Sequence, residues 1–88
     1  MLEVHEIEQL VSKLINEALE LDELHVSFDG SQCRINAVSD IFDELSRVKR
    51  QQAILKPLAE VIKDGTVHAI TVKTFNKQQW QRDKLFNS

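Results

Sequence analysis

The chain has 88 residues, of which 42% are hydrophobic and one is cysteine, and its formal net charge is −3. This length predicts a single domain, residues 1–88, with one modest core, and a lone cysteine excludes an internal disulfide and a four-cysteine metal site. No segment near Met1 is typical of a signal peptide and no apolar run reaches the ~18 residues that span a bilayer, so we expect a cytoplasmic protein without membrane association.

The first predicted elements are a helix and a β-hairpin. Apolar residues recur at helical spacing from Glu3 to about Leu21, and acidic residues in the first turns suit the helix dipole. Apolar and polar residues then alternate over residues 24–28 and 33–37, on either side of the turn residues 29–31. This pattern predicts two antiparallel strands.

The sheet is predicted to have one apolar and one polar face. Alternation places on the apolar face Leu24, Val26, Phe28, Cys33, Ile35, Ile70 and Val72. It places on the polar face His25, Ser27, Arg34, Asn36, Thr71 and Lys73. We therefore expect helices to cover only the first face.

Two helical segments are predicted after the hairpin. Residues 39–45 are too few for a full helix and indicate one helical turn, which packs Ile41 and Phe42 inward. A long helix follows over residues 46–64, because its first residue is a serine suited to the N-cap and apolar residues recur at helical spacing. Pro57 lies inside this helix and lacks a backbone N–H, so we expect a kink or break there.

A third strand and a last helix complete the predicted fold. Residues 67–72 are rich in β-branched side chains, and Asn76 followed by Gln79 is typical of a helix start. Trp80 is expected to anchor this helix. Because a helix separates strands two and three, these strands are predicted to pair in parallel. The fold class is α+β in the order α-β-β-α-β-α, with a three-stranded mixed sheet.

Basic residues are concentrated in the second half of the chain. Residues 1–45 carry eleven acidic and two basic side chains, a net −9, and residues 46–88 carry nine basic and three acidic ones, a net +6. Arg47, Lys49 and Arg50 lie at the start of the long helix, where each cation costs roughly 0.3–1 kcal/mol. Stability does not explain them. They predict an anion site at the helix start, and the alternative is a solvated basic turn.

The sequence holds no recognisable enzyme motif. A P-loop, a dinucleotide fingerprint, a zinc helix motif and a serine elbow are all absent, so we expect no enzymatic activity. Cys33 and His68 fall on neighbouring predicted strands and could form a nucleophilic pair, but no oxyanion donor or orienting third group accompanies them. By its position beside apolar residues, His68 is more typical of a structural histidine than of a ligand.

Several motifs together resemble the BolA family, and within it the IbaG-like branch. They are the hairpin with its Asp-Gly turn, the segment FDELSRVKRQQ at 42–52, Pro57-Leu58, Val67-His68-Ala69 and Trp80. The resemblance covers residues 6–82, with the motifs in the family's order and spacing. It implies an α/β fold similar to class II KH domains.

The resemblance implies a partnership with a monothiol glutaredoxin in [2Fe-2S] cluster binding, trafficking or iron and stress sensing. In the family, the shared cluster is held by the partner's cysteine, by glutathione and by a histidine that His68 matches. A [2Fe-2S] cluster needs four ligands, which one cysteine cannot supply. We therefore expect a monomer without cofactor when the protein is alone and a heterodimer with the glutaredoxin.

The second family ligand lies in or just after the hairpin turn, as a histidine or a cysteine. The aligned position here is Gln32, a poor iron ligand, and Cys33 follows it. Alternation turns Cys33 toward the helices. Two alternatives follow: Cys33 serves as a ligand if the strand start frays or bulges, and it does not if it packs as a small apolar residue.

The resemblance also implies DNA binding and transcriptional control in stress response and cell morphology. The contact would be the basic helix start, with Arg47, Lys49, Arg50 and Gln51. The GxxG loop by which KH modules clamp a nucleic-acid backbone is absent, and the net charge of −3 favours only weak contact. DNA binding is therefore the alternative to the glutaredoxin function.

Overall fold

The computed structural model describes residues 3–87, so the predicted domain range 1–88 extends past it at both ends. The elements are α1 (Val4–Ala18), β1 (Glu23–Phe28), β2 (Gln32–Val38), α2 (Arg47–Leu55), α3 (Ala59–Lys63), β3 (Ala69–Phe75) and α4 (Lys77–Asn87), with 3₁₀ turns at Asp40–Glu44 and Lys56–Leu58. The predicted α+β fold and its element order are confirmed. Within these residues no helix is both long and apolar enough to cross a membrane.

The sheet has the strand order β1-β2-β3 and is mixed. β1 and β2 pair antiparallel with Phe28 opposite Cys33, and β2 and β3 pair in parallel with Ile35 opposite Val72. The parallel pairing predicted from the helical crossover is confirmed. It places the starts of β2 and β3 side by side at one end of the sheet.

α1 covers the apolar face and ends earlier than predicted. Its residues Val11 and Ile15 are fully buried in the core. The helix ends at Ala18 rather than near Leu21, because Leu19 adopts an extended backbone. Leu19 and Leu21 both pack against the core, which residues two apart can do in an extended segment but not in a helix.

The helical turn after the hairpin packs only one of its two predicted apolar residues inward. Phe42 is 1% exposed, whereas Ile41 is 42% exposed. Successive residues of a 3₁₀ turn point about 120° apart, so a single turn directs one of two neighbours toward the core. The inward packing predicted for Ile41 is wrong.

The break predicted at Pro57 is confirmed. α2 ends at Leu55, the 3₁₀ turn contains Pro57, and α3 then begins at Ala59. A proline inside a helix removes one backbone hydrogen bond and crowds the preceding turn, so the helix is interrupted there. Leu58, the last residue of the 3₁₀ turn, is fully buried.

Helices cover both faces of the sheet, so the predicted coverage of one face is wrong. Trp80 of α4 stacks on His25, a residue of the polar face, with 5.1 Å between ring centroids. β2 and β3 also run further than predicted, to Val38 and Phe75, which pair with each other on that face. Val38 is 1% exposed. The predicted polar face, called the far face below, is therefore apolar where β2 and β3 end, and α4 covers it there.

The start of α4 follows the predicted capping pattern. The side chain of Asn76 accepts a hydrogen bond from the Gln79 N–H at 2.7 Å, and the Gln79 side chain accepts from the Asn76 N–H at 2.9 Å. This reciprocal pair is a capping box. Trp80 is 8% exposed, which confirms its predicted role as the anchor of the last helix.

Candidate functional site

Two loops meet at the end of the sheet where β2 and β3 begin. One is the hairpin turn between β1 and β2, and the other joins α3 to β3. Because β2 and β3 are parallel and Gln32 pairs with Ala69, the residue that follows the hairpin turn lies beside the residue that follows His68. The fold thus brings together two positions that are distant in sequence.

Backbone hydrogen bonds order the hairpin turn. One carboxylate oxygen of Asp29 accepts from the N–H groups of Gln32 at 2.7 Å and Ser31 at 2.9 Å. These two bonds lower the pKa of Asp29 below its ordinary value. Gly30 has a φ of +96°, which glycine adopts without strain.

The loop from α3 to β3 is ordered in a similar way. The hydroxyl of Thr66 donates to Asp64 Oδ1 at 2.6 Å and its N–H donates at 2.8 Å, and these bonds lower the pKa of Asp64. Because the pKa of Asp64 is lowered, these bonds stabilise the loop fully at pH values above 3.8, the ordinary pKa of the group. The stabilisation is lost as the pH falls through the lowered pKa. Gly65, with a φ of +81°, follows the helix end in the left-handed conformation typical of that position.

His68 is held at the surface by its neighbour Val67. Val67 is 1% exposed, and its N–H donates to the carbonyl of Val61 at 3.2 Å, so it belongs to the helix-terminating turn rather than to the strand. The third strand therefore begins at Ala69, two residues later than predicted. With Val67 directed into the core, the His68 side chain is exposed.

Both ring nitrogens of His68 lack a hydrogen-bond partner among residues 3–87. The other two histidines differ, since His5 bonds to Glu8 and His25 to Glu23, each with 3.3 Å between nitrogen and oxygen. An imidazole coordinates metal through an unprotonated ring nitrogen. His68 is therefore exposed and unpaired, and either nitrogen is available to a metal.

A mainly apolar groove of about 810 Å³ lies beside His68. Its lining comes from α1, from the end of β1 and from both loops: Glu3, Val4, Ile7, Phe28, Gly30, Gly65, Thr66 and His68. Val4 is 38% exposed there. The carboxylate of Glu8 accepts from the Phe28 N–H at 2.8 Å and fixes α1 against the hairpin. A concave, mainly apolar surface with a few polar groups is typical of a binding site.

Cys33 is packed in the core. It is fully buried, and it pairs in regular register with Phe28 on one side and Ile70 on the other, without a bulge. Burial, and then the negative charge of Glu8, raise the pKa of the Cys33 thiol. Both effects disfavour the thiolate that binds iron. The sequence left open whether Cys33 is a ligand or packs as a small apolar residue, and the structure favours packing.

Gln32 and the Cys33–His68 pair offer little chemistry of their own. The Gln32 amide donates to the Thr71 hydroxyl at 2.7 Å and so lies on the sheet surface. The Cys33 thiol lies in the core and is not hydrogen-bonded to the exposed His68 within the described residues, so the sulfur has no general base. No group of three or more histidine, cysteine or carboxylate side chains in residues 3–87 is placed to hold a metal.

Of the predicted DNA-contact residues, Arg50 and Gln51 are engaged within the fold. Ser46 caps α2 as predicted, accepting the Lys49 N–H at 3.2 Å. Arg50 Nε donates to the Leu45 carbonyl at 2.9 Å, and the Gln51 amide donates to the Val72 carbonyl of β3 at 3.1 Å. Arg47 and the Lys49 side chain are exposed.

The start of α2 borders a second groove, of about 700 Å³. Its lining comes from α2, β3 and α4: Arg47, Arg50, Gln51, Val72, Lys73, Thr74, Phe75, Gln79, Arg82 and Asp83. Sequence reasoning missed the contribution of Lys73 and Arg82. Nothing in their local sequence indicates it, because they come from separate elements that only the fold brings together.

The sequence matches known proteins over most of its length. A family model described as BolA-like protein matches residues 15–79. Acid stress protein IbaG of Escherichia coli (strain K12) is 44% identical over 79 residues, which cover 90% of this chain and 93% of that protein.

Solved structures show the same fold at lower identity. BolA1 from Mus musculus superposes with a TM-score of 0.75 and 20% identity, covering 89% of this chain and 71% of that one. The BolA domain of SufE1 from Arabidopsis thaliana gives a TM-score of 0.72 and 22% identity, covering 89% of this chain and 98% of that one. These similarities bear on the fold alone.

Proposed function

Given that the chain belongs to the BolA-like family, we propose that it partners a monothiol glutaredoxin in binding and trafficking a [2Fe-2S] cluster, with His68 as its ligand. The observation that carries the proposal is the state of His68. It is exposed, both ring nitrogens are unpaired within the described residues, and it lies at the rim of an apolar groove. An exposed imidazole with both nitrogens unpaired can coordinate a metal that a partner brings to it.

The donor set fits a shared cluster and not a cluster held by this chain alone. Four ligands are needed, and residues 3–87 contain no group of three donors that could converge on a metal. One imidazole from this chain, with the partner's cysteine and glutathione supplying sulfur, matches that arrangement. The bound cluster would be delivered to other proteins or would serve in iron and stress sensing.

The other residues of the site position the histidine and receive the partner. Val67 fixes the backbone before His68, and Asp64 and Asp29 order the two loops around it. Val4, Ile7 and Phe28 line the groove and would exclude water from a cluster at its rim. The buried Cys33 keeps its thiol in the core, so we propose His68 as the protein's own ligand.

The test is to mix the purified protein with a monothiol glutaredoxin that carries a glutathione-ligated [2Fe-2S] cluster. Exchange of a thiolate for an imidazole on iron changes the charge and donor strength of the ligand set, so the visible absorption and circular dichroism of the cluster should change. Size-exclusion chromatography should show the two proteins eluting together as a heterodimer. Unchanged cluster spectra at a several-fold excess of this protein would refute the proposal.

DNA binding through the start of α2 stays a prediction of the family resemblance. Arg47→Glu with Lys49→Glu should abolish any retention of DNA in a low-salt gel shift. The same pair should raise the free energy of unfolding by about 1 kcal/mol, because acids suit a helix N-terminus and Glu at position 49 completes a capping box with Ser46. Urea denaturation measures the second effect.

The substitutions spare Arg50, whose hydrogen bond to the Leu45 carbonyl supports the fold. A matched control is Lys13→Glu with Lys63→Glu, which changes the net charge equally at exposed positions elsewhere. If wild-type protein shows no retention at low salt, or if both pairs weaken retention alike, α2 is not a DNA contact.

A further inference from the structure

β3 has a strand neighbour on one side only within the described residues. The carbonyl of Phe75 accepts from Ser39, the residue after β2, so the backbone groups of Phe75 face the sheet. In a parallel pair the backbone N–H and C=O groups of successive residues point alternately toward and away from the neighbouring strand. Those of Val72 and Thr74 therefore point away from β2. The Val72 carbonyl confirms this direction, because it is bonded by the Gln51 side chain and not by β2.

The outward edge of β3 forms the floor of the 700 Å³ groove. The first turns of α2 form one wall, and α4 forms the other. The accessible edge covers residues 72–75, roughly 13 Å of strand at the usual rise per residue. The Gln51 side chain donates an N–H to the Val72 carbonyl, and it occupies the position from which an added strand would donate a backbone N–H.

The groove is strongly basic although the protein is acidic overall. Arg47, Arg50, Lys73 and Arg82 line it, against a single carboxylate from Asp83, whereas the whole chain carries a net charge of −3. Arg47, Lys73 and Arg82 are exposed. A concave surface of one charge attracts ligands of the opposite charge.

We propose that this groove binds an acidic polypeptide segment in extended conformation, which adds as a fourth strand to the free edge of β3. Backbone groups of the segment would pair with the N–H groups of Val72 and Thr74 and with the Thr74 carbonyl, because Gln51 already bonds the Val72 carbonyl. The carboxylates of the segment would lie near Arg47, Lys73 and Arg82. Addition of a strand to an exposed edge is a general mode of peptide recognition. The groove shares no lining residue with the groove beside His68, so this function is separate from cluster binding.

A polypeptide fits the groove better than a single-stranded nucleic acid. The strand edge presents both donors and acceptors, whereas a phosphate backbone only accepts. Single-strand binders also stack bases on exposed aromatic rings. The groove's aromatic residue, Phe75, is half-buried and packs against Trp80 with 5.1 Å between ring centroids.

The test uses a fluorescein-labelled ten-residue peptide of five Glu-Val repeats, blocked at both ends, and fluorescence anisotropy at low salt. Arg47→Glu with Arg82→Glu should weaken binding by about tenfold or more. Lys13→Glu with Lys63→Glu, which changes the net charge by the same amount, should leave the affinity as in wild type. In wild-type protein the amide resonances of Val72–Phe75 should shift on titration with the peptide.

Backbone pairing is tested with two further peptides, N-methylated at every Glu or at every Val. Alternate residues of an added strand direct their N–H toward β3, so one of the two should bind about tenfold more weakly than the parent. Equal affinity of all three peptides would show attraction by charge alone and overturn the proposal. So would absent binding by wild type, or tighter binding of a ten-nucleotide oligo-dT at the same ionic strength.

Discussion

Replacing His68 with alanine is expected to abolish the spectral change that the wild-type protein causes in a cluster-loaded monothiol glutaredoxin. The side chain is exposed and makes no hydrogen bond within the described residues, so its removal should cost little stability. Without the imidazole, the glutaredoxin cluster keeps its original ligands. Visible absorption and circular dichroism measure the loss, and a thermal melt checks the fold.

Two variants serve as controls for this experiment. His25→Ala removes an imidazole from the other face of the sheet and should retain the spectral change. Cys33→Ala should also retain it, because the thiol is packed in the core. Loss of the change in a folded Cys33→Ala protein would show that the sulfur reaches the iron. If His68→Ala alters the cluster spectrum as wild type does, the histidine is structural and the proposed ligand is wrong.

Replacing Trp80 with alanine is expected to lower the free energy of unfolding by about 3–5 kcal/mol, the usual cost of deleting a buried aromatic side chain. That is a large share of the ~5–15 kcal/mol typical of a domain. Trp80 stacks on His25, packs against Phe75, and has the Lys84 amine 5.7 Å from its ring centroid. Urea denaturation gives the energy, and far-ultraviolet circular dichroism should show loss of α4.

Trp80→Phe is the matched control. It retains an aromatic ring and removes the indole N–H, which is buried without a hydrogen-bond partner among residues 3–87. Leaving a buried donor unsatisfied costs about 1–3 kcal/mol, so its removal offsets part of the lost packing. We expect Trp80→Phe to stay within about 1.5 kcal/mol of wild type. A cost below 1 kcal/mol for Trp80→Ala would show that α4 is not anchored on the sheet.

Features set by local chemistry were predictable from the sequence. Ser46 starts α2 because its hydroxyl caps the helix, and Asn76 with Gln79 starts α4 by the same means. Pro57 interrupts the long helix because it lacks an N–H. Parallel pairing of β2 and β3 followed from the helical crossover between them. In each case the residues that determine the feature lie within a few positions of it, or in the single connection between two neighbouring elements.

The candidate site was only partly predictable. The family resemblance pointed to His68, whereas its apolar neighbours alone favoured a structural role. Its ligand role stays a prediction, although the unpaired nitrogens and the adjoining groove support it. Burial of Cys33 followed from strand alternation, but whether the strand start bulges depends on pairing with both neighbouring strands.

The sequence by itself determined the family, the order of elements and the mixed sheet, because hydrophobic periodicity, capping residues and connection lengths encode them. The tertiary structure alone decided that α4 covers the far face, since Val38 and Phe75 make that face apolar only once they pair across β2 and β3. It also decided that Arg47, Lys73 and Arg82 line one groove at the free edge of β3. Such contacts depend on how separate elements pack together, and no local pattern carries that information.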